Sequence, residues 1–263
     1  MTNVCIVTKL SKGLVFGCLE SIRRKTSPET LKEVRLSICY TGDNAAELSS
    51  LDSFLNSYIK LPYSICQMPY SFAKCSNFLA GMAESDHVLF LNDDVVMIDD
   101  CITHCLKAVE ADEKVGTVGC KLLYPDSKIQ HAGQLLVTKD DGGFCGVTHY
   151  LLKRHDAELP DFVSFGNTGA FMLVRKADFD RLGRFDEAYV HCFEDVDLNM
   201  KLLAEGKLNV TCGSVSAWHF ESQTRRLEMC REDVQRMIAY YDSNREAILQ
   251  NQSILERTIR RKA

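Results

Sequence analysis

The chain has 263 residues, of which 46% are hydrophobic, so it is long enough to bury a full core. Its 36 Asp and Glu outnumber its 31 Lys and Arg, and the net charge of −5 disfavours a general nucleic-acid binder. The 12 cysteines form no Cys-x-x-Cys pair, no secretory segment follows Met1, and no apolar run approaches the roughly 18–20 residues of a membrane-spanning helix. We therefore expect a cytoplasmic protein with reduced thiols and no nucleic-acid partner.

Short apolar segments alternate with helical ones in the first hundred residues. Strands are predicted at 4–8 (VCIVT), 34–40 (VRLSICY) and 87–91 (HVLFL), with helices over 17–24 and 45–58. This alternation is typical of a largely parallel α/β sheet.

The pattern changes after residue 100. The segment 115–133 (VGTVGCKLLYPDSKIQHAG) predicts two short strands joined by a turn at 125–127. The polar stretch 139–160 has no clear periodicity, and a connection of that length is more often functional or mobile than structural. We interpret it as a loop that orders over the substrates.

The last third is predicted to contain a strand, a helix, a second strand and a tail. The strand is AFMLV at 170–174, the helix begins at about 194 and ends at Gly206, and the second strand covers 208–220. The tail, residues 225–263, is predicted to be helical throughout. Because no internal repeat is present, one domain is expected.

Asn92, Asp93 and Asp94 directly follow the strand at 87–91. Side chains alternate along a strand, so Asn92 and Asp94 should point one way and Asp93 the other. Open α/β sheets bind ligands beyond the carboxyl ends of their strands, and adjacent carboxylates repel each other unless a cation or donors compensate. Two interpretations are open: a divalent ion held by Asp94, or a solvated Asn-Asp-Asp turn.

Five segments in order resemble the family 2 glycosyltransferases of the GT-A fold, particularly the O-antigen and rhamnosyltransferase-like branch. They are PYSFAKCSN, FLNDDV, KLLYPDSKIQHAG, GNTGAFMLVRKADFDRLGRFDEAYVHCFEDVDLNMKLLAEG and AWHFES, and the resemblance covers about residues 3–223. It implies an α/β fold with a Rossmann-like, mostly parallel central sheet flanked by helices, a small second sheet and a C-terminal helical tail. The single domain would comprise a nucleotide-sugar half at about 1–100, an acceptor half at about 101–223 and the tail at about 224–263.

The resemblance also implies a reaction. A sugar would move from a nucleoside diphosphate donor to a hydroxyl of a glycan or lipid-linked acceptor, with inversion at the anomeric carbon. UDP-, dTDP- and GDP-linked donors all stay open. A divalent metal, Mn²⁺ or Mg²⁺, would stabilise the charge on the departing diphosphate. Asp94 and His219 are the implied ligands, and the imidazole favours manganese; a histidine with a satisfied ring is the alternative for His219.

The general base is implied at Asp195, which would accept the proton of the acceptor hydroxyl. Asp195 also begins a predicted helix, where acids are commonly dipole partners or caps. On the acceptor side the resemblance implies Glu194, Thr168, Gly169 and Trp218.

Donor-side contacts are implied for a larger set: Thr8, Tyr40, Asp43, Lys74, Asn77, Asn92 and Asp93. The chain departs from the family at this nucleotide end, where TKLS follows the first strand in place of Pro-x-Tyr-Asn and YTGD replaces Asp-Asn-x-Ser after the second. Contact of Asp43 with the base and stacking of Tyr40 on it are alternatives that spacing does not decide. Lys74, after a strand, has a solvated charge as its alternative.

The tail carries Arg225, Arg226, Arg260, Arg261 and Lys262. These residues suggest a basic surface for a lipid-linked acceptor or for peripheral membrane contact. Acidic residues in the same tail favour a solvated helix that packs on the domain, or a homodimer contact, instead.

Two other functions use related chemistry. A sugar nucleotidyltransferase would need a glycine-rich basic phosphate loop near the first strand, and TKLSKG contains one glycine. A catalytically silent nucleotide-sugar-binding protein would keep the metal site but lose the base, and the pair Glu194 and Asp195 argues against that.

Overall fold

The structure is a computed structural model that describes residues 1–10, 13–82, 84–190, 192–220 and 230–262, with side chains up to residue 250. The strands are β1 Thr2–Thr8, β2 Val34–Tyr40, β3 Tyr63–Gln67, β4 His87–Asn92, β5 Val95–Met97, β6 Val115–Leu123, β7 Ile129–His131, β8 Gln134–Thr138, β9 Phe144–His149, β10 Phe162–Ser164, β11 Phe171–Arg175 and β12 Leu208–His219. The helices are α1 Leu14–Lys25, α2 Pro28–Leu31, α3 Ala45–Phe54, α4 Phe72–Gly81, α5 Cys101–Glu110, α6 Lys176–Arg181, α7 Glu194–Ala204 and α8 Arg231–Lys262. A π-helical turn, Leu55–Ile59, extends α3.

A central sheet has the order β10-β12-β6-β11-β4-β1-β2-β3, with β5 on β12 and β7 on β6. The half built from the first hundred residues, β4-β1-β2-β3, is entirely parallel. β11 runs antiparallel to β4 and β6, whereas β12 runs parallel to β6. β8 and β9 form a separate antiparallel sheet. The predicted α/β fold with a mostly parallel sheet and a small second sheet is therefore confirmed.

Helices cover both faces of the central sheet, which explains why HVLFL is continuously apolar. In β4, Leu89 and Leu91 pack in the core layer that contains α1, α3 and α5. Val88 and Phe90 pack in the opposite layer with α4, α6 and α7. The carboxyl end of β4 is thereby held between two cores, where it presents Asn92 and the acids after it.

The predicted elements are present, with one exception in the polar stretch 139–160. The turn at 125–127 and the helix α7 form as expected, and Gly206 follows α7 with a φ of 80°. The interpretation of 139–160 as an unpatterned loop is wrong in part, because β9 lies inside it and pairs with β8. The residues of β9 are all partly or fully exposed, so no apolar alternation marks the strand.

The tail forms the long helix α8, and its first part packs on the domain. Met237, Tyr241 and Ile248 share a buried cluster with Met200 and Leu203 of α7. Packing on the domain, one of the alternatives for the tail, is thus observed for this part. Arg225 and Arg226 lie outside the described residues, as do the side chains of residues 260–262.

None of the helices in the described ranges combines the length and apolar character needed to cross a membrane. All 12 cysteines are free thiols, and most are buried in the core.

Candidate active site

A cleft of about 470 Å³ opens at the carboxyl ends of β1 and β4. This volume is within the range of about 300–1,000 Å³ that is usual for small-molecule sites. Nine of the predicted site residues line the cleft: Thr8, Asn92, Asp93, Asp94, Thr168, Gly169, Glu194, Asp195 and His219.

Asp93 and Asp94 form a tight turn between β4 and β5, but both are buried rather than solvated. Asp93 faces β1, where Thr8 Oγ1 donates a hydrogen bond to its Oδ2 at 2.6 Å. Burial raises the pKa of Asp93 to about 6, Thr8 opposes this, and Asp94 adds to it. Asn92 and Asp94 instead face His219, so the predicted alternation is confirmed. The solvated turn is wrong, because neighbouring strands enclose the turn.

Strand pairing brings Asp94 and His219 together across 125 positions of sequence. β5 pairs with the end of β12, so that Val95 lies opposite His219, and Asp94 O accepts a hydrogen bond from Phe220 N at 3.0 Å. His219 Nε2 lies 3.2 Å from Asp94 Oδ1. This Oδ1 atom is buried and accepts no hydrogen bond from any residue that the structure describes.

The other imidazole nitrogen of His219 is held by Gln130. His219 Nδ1 lies 2.6 Å from Gln130 Oε1. An amide oxygen only accepts hydrogen bonds, so Nδ1 carries a proton, and in the neutral imidazole Nε2 then presents its lone pair. The Asn92 amide nitrogen lies 3.3 Å from the same Nε2.

These donors fit a divalent cation. A buried carboxylate oxygen with no hydrogen bond and an imidazole lone pair face each other on the wall of the cleft. A positive ion there would compensate two buried acids, and a carboxylate with an imidazole suits Mn²⁺. Gln130 supplies the hydrogen bond to the distal ring nitrogen that metal-binding histidines usually make.

Asp195 lies in the first turn of α7 and is held by two backbone amides. Its Oδ2 accepts from Gly169 N at 2.8 Å, and its Oδ1 accepts from Val196 N at 2.7 Å. The helix has Phe193 at its N-cap, with a φ of 78° and no side-chain cap, so Asp195 is not the capping residue. The contact with Gly169, from a different element, orients the carboxylate in the cleft.

Gly169 packs closely against the side chain of Phe72. A Cβ atom built on Gly169 would lie 3.1 Å from Phe72 Cζ and 3.6 Å from Asp195 Cβ. Glu194, beside Asp195, is buried and also lines the cleft.

Residues 4–221 match the family described as Glycosyltransferase like family 2. The chain belongs to this family.

Two curated relatives carry related names. The O-antigen biosynthesis protein RfbC of Myxococcus xanthus is 32% identical over 174 residues, which cover 62% of this chain and 13% of that protein. The rhamnosyltransferase WbbL of Escherichia coli (strain K12) is 29% identical over 130 residues, which cover 47% of this chain and 48% of that protein. The glycosyltransferase domain thus spans less than half the length of either relative.

Solved structures share the fold of this glycosyltransferase domain. GalNAc-T7, crystallised with UDP, GalNAc and Mn²⁺, superposes with a TM-score of 0.71 at 10% identity, over 92% of this chain and 48% of that one. The mannosyltransferase PcManGT of Pyrobaculum calidifontis, in complex with GDP-Man and Mn²⁺, gives a TM-score of 0.62 at 12% identity, over 96% of this chain and 73% of that one. The fold is the GT-A fold expected from the sequence.

Four of the predicted donor contacts, Tyr40, Asp43, Lys74 and Asn77, lie outside the cleft of the glycosyltransferase domain. The ring of Tyr40 is fully buried, and its hydroxyl donates to Glu47 Oε2 at 2.8 Å, so stacking of this ring on a base is a wrong prediction. Asp43 and Lys74 are exposed and do not line the cleft. The solvated charge, the alternative for Lys74, is what the structure shows.

Asn77 and Trp218 are also misassigned. Asn77 is buried, donates to Phe185 O at 2.9 Å and accepts from Phe185 N at 3.1 Å, so it joins α4 to the chain that leads to α7. Trp218 is 38% exposed and does not line the cleft. It neighbours His219 in a strand, and alternation directs its side chain to the opposite face.

The cleft residues that were not predicted as site candidates include three with polar side chains close to the candidate metal site: Gln130, His131 and His149. The Nδ1 atoms of the two histidines are 2.7 Å apart. Burial, followed by the charge of His149, lowers the pKa of His131 well below its usual value. Two of the three, Gln130 and His131, lie in the segment KIQHAG, which is part of the family resemblance, but no function was predicted for either. His149 gave no signal, because its position depends on the pairing of β9 with β8.

Proposed function

We propose that this glycosyltransferase domain transfers a sugar from a nucleoside diphosphate donor to a hydroxyl of a glycan or lipid-linked acceptor, with a divalent metal and with inversion at the anomeric carbon. The observation that carries the proposal is that one cleft holds two carboxylates, Asp94 and Asp195, in different surroundings. Asp94 lies with His219 in a cation-binding arrangement, and Asp195 is oriented separately by Gly169.

The donor side consists of Asp94, His219, Asn92, Asp93 and Thr8. Asp94 and His219 would hold the metal, which, when bound, stabilises negative charge on the departing diphosphate. Asn92 and the Asp93–Thr8 pair form the adjacent wall, where they bind and orient the nucleotide sugar. The solved neighbours carried UDP and GDP-mannose with Mn²⁺, which supports a donor of this class and manganese as the ion.

The acceptor side consists of Asp195, Glu194, Thr168 and Gly169. Asp195 accepts the proton of the attacking hydroxyl through a carboxylate lone pair that the Gly169 amide does not use. Attack from the side opposite the leaving group inverts the anomeric carbon. Glu194 and Thr168 line the same cleft and would hold acceptor hydroxyls.

These findings support neither alternative function, the sugar nucleotidyltransferase or the catalytically silent binding protein. The family match argues against a sugar nucleotidyltransferase. The placement of Asp195 in the cleft argues against a silent binding protein.

The relatives named for O-antigen biosynthesis and rhamnosyl transfer support a polysaccharide acceptor. Contact of the tail with a membrane or with a second copy stays a prediction.

A panel of UDP-, dTDP- and GDP-sugars tests the proposal. Each donor is added to the purified chain with Mn²⁺ or with EDTA, and thermal stability and release of nucleoside diphosphate are measured. A true donor at about 100 times its dissociation constant should stabilise the fold by about 2.7 kcal/mol, and only with metal.

Asp94→Asn and Asp43→Asn form a matched pair for this panel. The first removes a buried cleft carboxylate and should abolish the metal-dependent shift. The second makes the same change at an exposed acid outside the cleft and should leave the shift unchanged. Undiminished transfer in excess EDTA would refute the metal requirement.

A further inference from the structure

A second cluster of metal-ligating side chains lies away from the cleft. It forms where helix α5, strand β12 and the segment that precedes β10 meet. It consists of His104, Asp161 and Cys212. One nitrogen of His104, one carboxylate oxygen of Asp161 and Cys212 Sγ all lie within 4.8 Å of one another, and within the described part of the chain no other trio of this kind occurs. None of the three residues lines the cleft.

A bulge in β12 builds this cluster. The register of β12 against β6 shifts directly after Cys212, so residues 213–215 bulge out of the ladder. Ser214, in the bulge, donates its hydroxyl to Asp161 Oδ1 at 2.8 Å and its backbone N–H to the same atom at 3.3 Å. Asp161 Oδ2 lies 2.6 Å from His104 Nε2. Bulges are structural features that re-aim side chains, and this one places a thiol, an imidazole and a carboxylate together.

The bulge packs closely against Leu159 and Pro160. A Cβ atom built on Gly213 would lie 2.5 Å from Pro160 O and 2.6 Å from Leu159 Cβ. Segment 150–160 contributes Leu152 to the cleft. Asp161 lies where this segment rejoins the sheet, directly before β10.

The three ligand types are those of a zinc-class ion. Zn²⁺ takes Cys sulfur, His nitrogen and carboxylate oxygen at about 2.0–2.3 Å, so tetrahedral ligands lie about 3.3–3.7 Å apart. The distance between His104 and Asp161 would increase from 2.6 Å to about 3.3 Å, which two partly exposed side chains can accommodate, while the buried Cys212 supplies a fixed position.

We propose that His104, Asp161 and Cys212 bind one Zn²⁺ ion that is separate from the catalytic metal and fixes the end of segment 150–160 to the sheet. On binding, the Cys212 thiol releases its proton to solvent and the sulfur becomes a thiolate ligand. His104 binds through Nε2 as a neutral imidazole whose proton is on Nδ1. A water or the Ser214 hydroxyl completes the coordination.

Cobalt substitution tests this site, because a thiolate bound to Co²⁺ gives a charge-transfer absorption that the carboxylate and imidazole of the catalytic site do not give. The full chain carrying Asp94→Ala, which disables the catalytic metal site, is stripped of metal and titrated with Co²⁺ and then with Zn²⁺. We expect the thiolate band to saturate at one equivalent of Co²⁺ and to disappear as Zn²⁺ displaces it.

Three further changes are made in the Asp94→Ala chain. Cys212→Ser and His104→Ala should each abolish saturable binding, whereas Cys145→Ser, at an exposed thiol in β9, should leave it intact. His104 is partly exposed, so His104→Ala decides the result if Cys212→Ser does not fold. Absence of the thiolate band, its survival in His104→Ala, or its loss in Cys145→Ser would overturn the proposal and leave only an ordinary His–Asp ion pair beside a core cysteine.

Discussion

Replacing Gln130 with methionine should weaken metal binding while the domain stays folded. Methionine keeps the approximate length of the side chain but removes the oxygen that lies 2.6 Å from His219 Nδ1. Without metal, the imidazole can move its proton to Nε2, which faces Asp94 Oδ1 at 3.2 Å, so little stability is lost. Metal binding forces that proton back to Nδ1, which then has no acceptor.

The expected magnitude follows from that unsatisfied buried donor. A buried N–H without a partner costs about 1–3 kcal/mol, which corresponds to about 5–150-fold in an equilibrium constant. Loss of a hydrogen bond to a metal-binding histidine typically weakens affinity about 10–100-fold. We therefore expect the dissociation constant for Mn²⁺ to rise by about 10–100-fold in Gln130→Met.

Calorimetric titration of Mn²⁺ in the presence of a nucleoside diphosphate measures this change. Gln67→Met is the control, because Gln67 is an exposed glutamine that does not line the cleft. Thermal unfolding in EDTA should differ little among the three proteins. Wild-type Mn²⁺ affinity in Gln130→Met would refute the tautomer argument and the ligand role of His219 with it.

Two further predictions concern turnover and acid stability. Gly169→Ala would place a methyl group 3.1 Å from Phe72 Cζ, so Phe72 or the backbone of Gly169 must shift. A backbone shift would disturb the hydrogen bond from Gly169 N to Asp195, so turnover should fall more than donor affinity. Gly146→Ala, whose Cβ meets nothing within 4 Å, should be neutral, and equal kinetics for both variants would contradict this role of Gly169. Burial would raise the pKa of Asp178, but two cationic side chains at 2.8 and 2.9 Å hold it below its usual value. The pKa of Asp178 is lower in the folded than in the unfolded protein, so this stabilisation is present above about pH 4 and is lost as the pH falls through the folded pKa. The Tm difference between wild type and Asp178→Asn should therefore shrink in acid. A Tm difference that does not depend on pH would contradict this prediction.

Local alternation correctly predicted how the acids after β4 are oriented. The opposite orientation of Asp93 and Asp94 follows from their position at the end of β4, and both acids lie where open α/β sheets bind ligands. What the sequence did not indicate is that this turn is buried. Its burial results from the pairing of β5 with β12, a contact between segments more than a hundred residues apart.

The errors have physical causes of the same non-local kind. Tyr40 is the last residue of β2, but its ring is buried in the core and its hydroxyl donates a hydrogen bond to Glu47. Asn77 looked like a polar ligand, yet it satisfies the backbone of Phe185, 108 positions away. The strand β9 was missed because its partly exposed residues show no apolar period. Each of these outcomes depends on what packs against a residue, and spacing along the chain does not reveal that.

The most direct test of the proposed function compares donor binding and turnover in Asp195→Asn. Asparagine keeps the side chain's shape and one hydrogen-bond acceptor for Gly169 N, but it lacks the basic oxygen. The metal-dependent donor affinity should stay within about twofold of wild type, while transfer should fall by about 10²–10⁴-fold, the usual contribution of general-base catalysis. Near-normal turnover in Asp195→Asn would contradict the assignment of the base and the division of the cleft into a metal-binding side and a proton-accepting side.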